Sequence, residues 1–234
     1  MTTDHLLRQV ERRWLHLAKA PAGTELPAVL VSPDSGLCPP GWVGVVVLDG
    51  RPLITAPDQP GAARIRSVPA GTAPLDLGAA LGATRVLGPA ALAYLEPAAF
   101  RPDGGAEPAG VVTELRPRHP EVRGLIARVA PDDANEAGLD EITSSAFTVL
   151  DPAGRVLAAT GYRTWPGGIA HLCVLADPAH RGRGLARTTA SAAAAHALAA
   201  GLLPQWRARV PASRRVAERL GFRELGAQFT FLAG

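Results

Sequence analysis

Apolar positions along the chain change period several times, and each change marks an element. Residues 4–19 alternate apolar and charged positions at helical spacing, with Arg8, Glu11, Arg12 and Arg13 on the wet side, which predicts an amphipathic helix. Val43–Leu48, the Asp49-Gly50 turn and Pro52–Thr55 predict a hairpin. Leu75–Leu81 reads as a short helix and Thr84–Leu87 as a short strand. Pro89–Leu95 reads as another helix start, because proline suits a first turn. Arg101–Gly110 (RPDGGAEPAG) is too rich in Gly, Pro and acids for a regular element and reads as a linker.

Beyond it the pattern is clearer. Val111–Leu115 predicts a strand, and Pro120–Val129 and Asp133–Glu141 predict helices, the second with acids at its start. Phe147–Leu150, Val156–Trp165 and Ile169–Leu175 predict a three-stranded meander with turns at Asp151–Gly154 and Pro166–Gly168. A helix is expected from about Gly184 to Ala200, then a strand at Gln205–Val210, a helix at Ala212–Leu220 and a last strand at Phe222–Phe231. The expected class is α/β (α+β), a mixed and mostly antiparallel sheet flanked by helices. Two domains are expected, a smaller α/β domain over residues 1–110 and a second over 111–234.

Composition narrows the partners. The chain is 47% apolar, enough to build a core. No apolar run reaches the roughly 18 residues of a membrane span, and the charged N-terminal segment lacks the apolar middle of a signal peptide. Two cysteines, Cys38 and Cys173, are too few for a disulfide framework, and a cytoplasmic location is expected. The net charge of +3 is carried by arginines spread among acids, with Lys19 the sole lysine and few aromatics to stack bases. No nucleic-acid partner is expected from that pattern. No metal site is expected, and the chain is expected to be a monomer or homodimer.

The candidate chemistry centres on Arg181-Gly182-Arg183-Gly184-Leu185-Ala186. A strand, a turn rich in Gly and Arg, and a helix start together suit a polyphosphate. The helix start offers unpaired N–H groups and a positive dipole end, and glycine lets the backbone approach the anion. No lysine follows the glycines as a nucleotide P-loop would require.

The element order and this turn resemble the GCN5-related N-acetyltransferase (GNAT) superfamily, whose cofactor motif is Arg or Gln, two residues, Gly, one residue, then Gly or Ala. The R-G-R-G-L-A run is a full match, Pro178 stands shortly before it, and Ser213–Phe222 resembles the family's fourth-helix motif ending in Gly-Phe. The resemblance covers roughly residues 111–234, with the front half consistent with a degenerate second copy of the fold. It implies acetyl-CoA as cofactor, held at its pyrophosphate by the backbone of Gly182, Arg183, Gly184, Leu185 and Ala186, with charge added by Arg181 and Arg183. It also implies that the pantetheine arm lies along Val174, Leu175 and Ala176, where the Val174 N–H would bond the thioester carbonyl. Ser213 would bond the cofactor near its sulfur.

The implied reaction is acetyl transfer to the amine of a small molecule, by direct attack in a ternary complex. The alternatives are a non-catalytic acyl-CoA-binding or sensing module, and an acetyltransferase acting on proteins. His171 is a candidate general base, although the family's glutamate aligns with Ala170, and a histidine there equally suits covering the sheet. Glu141 and Asp140 are further candidates. The family's tyrosine acid is replaced by Ala217, and the asparagine that often starts the same motif by Val210.

Overall fold

The computed structural model describes residues 4–103 and 111–234. The elements, in chain order, are α1 (His5–Leu17), β1 (Ala28–Val31), β2 (Val43–Leu48), β3 (Arg51–Ala56), α2 (Gln59–Ser67), α3 (Leu77–Ala80) and β4 (Arg85–Tyr94). They continue with β5 (Val112–Leu115), α4 (Pro120–Arg128), α5 (Pro131–Ala137), β6 (Ala146–Leu150), β7 (Val156–Trp165) and β8 (Ile169–Ala176). The chain ends with α6 (Leu185–Ala199), β9 (Leu203–Ala208), α7 (Pro211–Arg219) and β10 (Arg223–Leu232). They form two compact units, one of residues 1–92 with 224–234, the other of residues 93–223. The last strand thus belongs with the start of the chain, whereas the sequence pattern groups it with residues 111–234.

In the first unit β2 pairs antiparallel with both β3 and β10, and β3 pairs parallel with β1. Val43, Val45, Ile54, Phe229 and Phe231 send side chains to one face, where Ala62 and Ile65 of α2 and Leu77 of α3 cover them. Asp58 caps α2 by accepting from the Gly61 N–H at 2.7 Å. Residues Pro89–Leu95, expected to open a helix, instead lie mostly in β4. Ala90 and the whole run Leu92–Leu95 are buried, as in a strand covered on both faces, and that burial outweighs proline's preference for a helical first turn.

The second unit holds β5 to β9. The pairs β5/β6, β6/β7 and β7/β8 are antiparallel and β8/β9 is parallel, which makes this sheet mixed and largely antiparallel. Helices cover both faces. Ala190, Ala194 and Ala197 of α6 and Ala217 of α7 pack on Ala170, Leu172, Trp206 and Ala208. Val122 and Leu125 of α4 pack on Ala159, Cys173 and Leu175 of the other face. The alanines let α6 lie close to the sheet, where Thr189 and the buried Thr160 of β7 share a 2.8 Å hydrogen bond.

Residues 133–141 do not form the single helix expected. Gly138 adopts φ 59° and ends α5, and a 3-10 turn follows at Leu139–Glu141. Of the expected linker, Arg101–Asp103 is irregular, and 104–110 lies outside the described residues. No helix among the described residues is long and apolar enough to cross a membrane.

Candidate cofactor and acceptor cleft

Strand β8 is paired with β7 along its whole length, from Ile169 opposite Trp165 to Ala176 opposite Ala158. Its other edge is paired with β9 only at Ile169, Ala170 and His171, opposite Leu203, Pro204 and Gln205. Beyond His171 the two strands part. A cavity of about 710 Å³ opens in the gap, lined by Val174, Leu175 and Ala176 on one side and by Trp206, Arg207 and Ala208 on the other. Backbone groups on the parted edges have lost their ladder partner, and a buried backbone group needs a replacement.

The Arg181–Ala186 turn closes one end of this cavity. Asp177, at the end of β8, fixes the approach. It accepts from the Ala179 N–H at 3.0 Å and from Arg128 Nε at 3.0 Å, while Arg128 Nη2 donates to the Val156 carbonyl. Burial alone would raise the Asp177 carboxyl, but these bonds and nearby His180 hold it below its ordinary range. Gly182 and Gly184 sit at φ +79° and +80°, and a Cβ on either would meet no atom within 4 Å. The space over the turn is open. Gly184 is the N-cap of α6 without a side-chain cap, and the first helical bonds run from Arg187 and Thr188 N–H to its carbonyl. Among the described residues, the N–H groups of Gly182 to Ala186 make no hydrogen bond. The turn therefore presents a fan of free donors at the positive end of a 15-residue helix.

The side chains of the motif are differently placed. Arg181 lines the cavity and donates to Asp133 of α5 at 2.7 Å, with both side chains about half exposed. A pair so exposed is weak and easily exchanged for another anion. Arg183 is exposed and lies outside the lining. Leu185 is buried against Val149, Leu157 and Ala158 and anchors the helix start.

One buried carboxylate that sequence reasoning missed organises this helix start. Asp103 accepts from Arg187 Nη2 and from Thr188 Oγ1, both at 2.7 Å, and its N–H donates to Ser191 Oγ at 2.8 Å. Its place in a segment that reads as linker hid it.

At the other end, where the strands part, His171 Nδ1 lies 3.0 Å from Gln205 Oε1, and Gln205 Nε2 donates to Tyr94 Oη at 2.9 Å. With Gln205 accepting, His171 carries its proton on Nδ1 and leaves Nε2 as a lone pair. Its ring stacks on Trp165 at 4.6 Å. Burial and the positive Arg207 push its pKa down to about 3, against a smaller upward pull from Gln205. His171 is thus a neutral hydrogen-bonding group at ordinary pH and a poor proton acceptor. Burial, helped by Glu141, likewise pushes the Cys173 thiol up to about 12, so it has no thiolate character.

Glu141 is ion-paired with Arg163 on the surface, and neither it nor Asp140 lines the cavity. Glu136 of α5 does line it, paired with Arg209 at 2.8 Å. Ser213 lines the cavity too, and its Oγ accepts from Trp206 Nε1 at 2.9 Å. Ala217 is buried beside Trp206, Leu220 and Phe222. Tyr162 is buried in the same core, its hydroxyl 2.9 Å from His196 Nδ1.

A parted strand pair, with a glycine turn and a helix start at its open end, can be compared with known proteins. Residues 156–229 match the family model for the GNAT acetyltransferases. The chain has the fold of the GNAT superfamily. The match classes this region with the N-acetyltransferases and spans β7, β8, the Arg181–Ala186 turn, α6, β9, α7 and most of β10.

Among solved structures, a GCN5-related N-acetyltransferase-like protein from Streptococcus suis is 17% identical with a TM-score of 0.53, over 96% of this chain and 97% of that one. A GCN5-related N-acetyltransferase from Kribbella flavida is 17% identical with a TM-score of 0.50, over 67% of this chain and 63% of that one. A GNAT-family acetyltransferase from Novosphingobium aromaticivorans is 23% identical with a TM-score of 0.48 over 64% of this chain, which spans 65% of its length. No curated protein matches the chain.

Proposed function

We propose that the protein transfers an acetyl group from acetyl-CoA to the amine of a small molecule. The observation that carries this is the cleft between β8 and β9 ending on the free N–H fan of Gly182–Ala186. The open space over both glycines fits a pyrophosphate approaching the backbone. Gly182 to Ala186 would hold it, with Arg181 exchanging Asp133 for phosphate and Arg183 adding charge from the surface. Val174, Leu175 and Ala176 offer the β8 edge that β9 leaves unpaired. Ser213 keeps a hydroxyl proton to donate into the cavity.

When bound, acetyl-CoA supplies a thioester acyl group open to direct attack by an amine, with no acyl-enzyme. Cys173, as a buried un-ionised thiol, is unsuited to carry an acyl group. Neither His171, as depressed as it is, nor Glu141, turned to Arg163 outside the cavity, is well placed as a general base. The amine proton leaves to water through the cleft mouth, and His171 Nε2 accepts a hydrogen bond instead. Ala217 offers no proton, and a thiolate whose acid has pKa near 8.5 leaves without one.

The test incubates the protein with acetyl-CoA and a broad panel of amines and follows release of free CoA. Tight cofactor binding with no turnover of any amine would sink the enzyme reading. That outcome favours the second reading, a non-catalytic acyl-CoA-binding module, which the depressed His171 and the buried Ala217 support.

A further inference from the structure

Helix α5 is tied across the gap between β8 and β9 by charge. It carries no buried residue. Buried Val129 before it and buried Leu139 after it anchor its two ends in the core beneath α4. Between these anchors the helix packs on that core through Ala137, which is partly buried. Seven residues make a helix too short to be stable by itself. Two ion pairs complete its hold, Asp133 with Arg181 at 2.7 Å and Glu136 with Arg209 at 2.8 Å. The two acids stand about one helical turn apart and so share a face. Arg181 lies just past the end of β8 and Arg209 just past the end of β9. The pairs therefore reach the two strands that part, and all four residues line the cavity. The helix is a strap over the gap, fastened to each bank.

The sign of its charge is the unexpected part. The ionisable residues of α5 are Asp132, Asp133 and Glu136, all acidic, and all line a cavity whose proposed ligand is a polyanion. A strap shaped only to hold phosphate would carry cations. Asp133 instead sits on Arg181, the guanidinium that opens the phosphate turn. A carboxylate and a phosphate are alternative partners for the charge of one guanidinium. Arg181 and Asp133 are 54% and 51% exposed, so their pair is weak and screened by salt. Such a pair biases a cleft without sealing it.

We propose that α5 is an autoinhibitory strap, in which Asp133 competes with the cofactor's phosphate for Arg181 while the Glu136–Arg209 pair keeps Asp133 in place to do so. This rests on the acyl-CoA reading above, and holds whether or not the bound acyl group is transferred. Cofactor affinity is then set partly by a carboxylate that the cofactor has to displace.

The experiment titrates CoA calorimetrically at low salt into wild type, Asp133→Asn, Glu136→Gln, Arg181→Gln and the double variant Asp133→Asn/Arg181→Gln, with thermal melts to show that each is folded. Asp133→Asn is expected to bind CoA about twofold to fivefold more tightly than wild type, the scale of one exposed ion pair. Glu136→Gln unpins the helix without touching Arg181 and is expected to give part of that gain. Arg181→Gln is expected to bind more weakly, and adding Asp133→Asn to it should change affinity little, because the contested guanidinium is gone. High salt should bring Asp133→Asn and wild type together. Asp133→Asn binding no more tightly than wild type overturns the inference and leaves the cofactor reading standing. An equal gain with and without Arg181 shows plain charge repulsion and overturns the competition. No gain in Glu136→Gln overturns its part in holding Asp133. Failure of wild type to bind CoA removes the acyl-CoA reading and this inference with it.

Discussion

Replacing Gly184 by alanine separates backbone shape from bulk. Gly184 holds φ +80°, ψ −7°, and an added Cβ would meet nothing within 4 Å. The penalty is therefore conformational. A left-handed residue with a Cβ is disfavoured by roughly 1–2 kcal/mol. If the turn keeps its shape, the fold loses that stability. If it relaxes, the N–H fan no longer converges, and CoA must restore the strained shape, which weakens binding by about 5–30-fold. Gly154 provides the control. It has φ +81° and an equally open Cβ position, but it sits in the Asp151–Arg155 turn and does not line the cleft. Gly154→Ala is expected to lower Tm by about 2–8 °C and to bind CoA as wild type does. Calorimetric titration and thermal melts on both variants decide the matter. Unweakened CoA binding by Gly184→Ala, or equal weakening in Gly154→Ala, would refute the idea that the turn's backbone holds the cofactor.

Three further outcomes follow from other parts of the structure. Asp103→Ala removes two bonds that tie Arg187 and Thr188. Because Thr188 can fall back on the Gly184 carbonyl, a loss of about 2 kcal/mol is expected in urea titrations; a loss under 0.5 kcal/mol would show the clamp to be incidental. Gly221→Ala sets a Cβ 1.9 Å from the Ala99 carbonyl oxygen at φ +93° and should destabilise by more than about 4 kcal/mol or abolish soluble expression, whereas a normal melting curve would contradict this packing. His171 has a folded pKa of about 3, below its unfolded value near 6.5, so its contribution to stability is complete above about 6.5 and is lost as pH falls toward 3. Its ring resonances should not titrate between pH 5.5 and 8, and an inflection near 6.5 would show the ring to be solvated.

The parts of the fold legible in sequence are those with a local cause. The meander of β7 and β8 follows from apolar runs broken at Asp151–Gly154 and Pro166–Gly168, and the Arg181–Ala186 turn from two glycines before an alanine-rich helix. Pro89 misled because a proline is compatible with a helix start and with a strand, and the partners that decide are far away in sequence. Asp103 and its partner Arg187 are 84 residues apart, and nothing near either announces the bond. Glu136 and Asp133 read as ordinary helix-start acids, since their roles depend on Arg209 and Arg181 arriving from other elements. His171 was visible as a titratable residue, but the crowding that sets its pKa exists only once Gln205, Trp165 and Arg207 surround it.

The place of β10 bears on how the chain can be made. Phe229 and Phe231 complete the core over α2 and α3, and β10 supplies one of the two neighbours of β2. The unit translated first is thus the one finished last. Until β10 has emerged from the ribosome, residues 4–92 present β2 with an open edge and a core lacking two aromatic rings, the kind of surface that recruits chaperones or self-associates. Excising residues 111–234 as a fragment would carry β10 away from this unit. Anything fused downstream of β10 follows a strand that the first unit still awaits during synthesis.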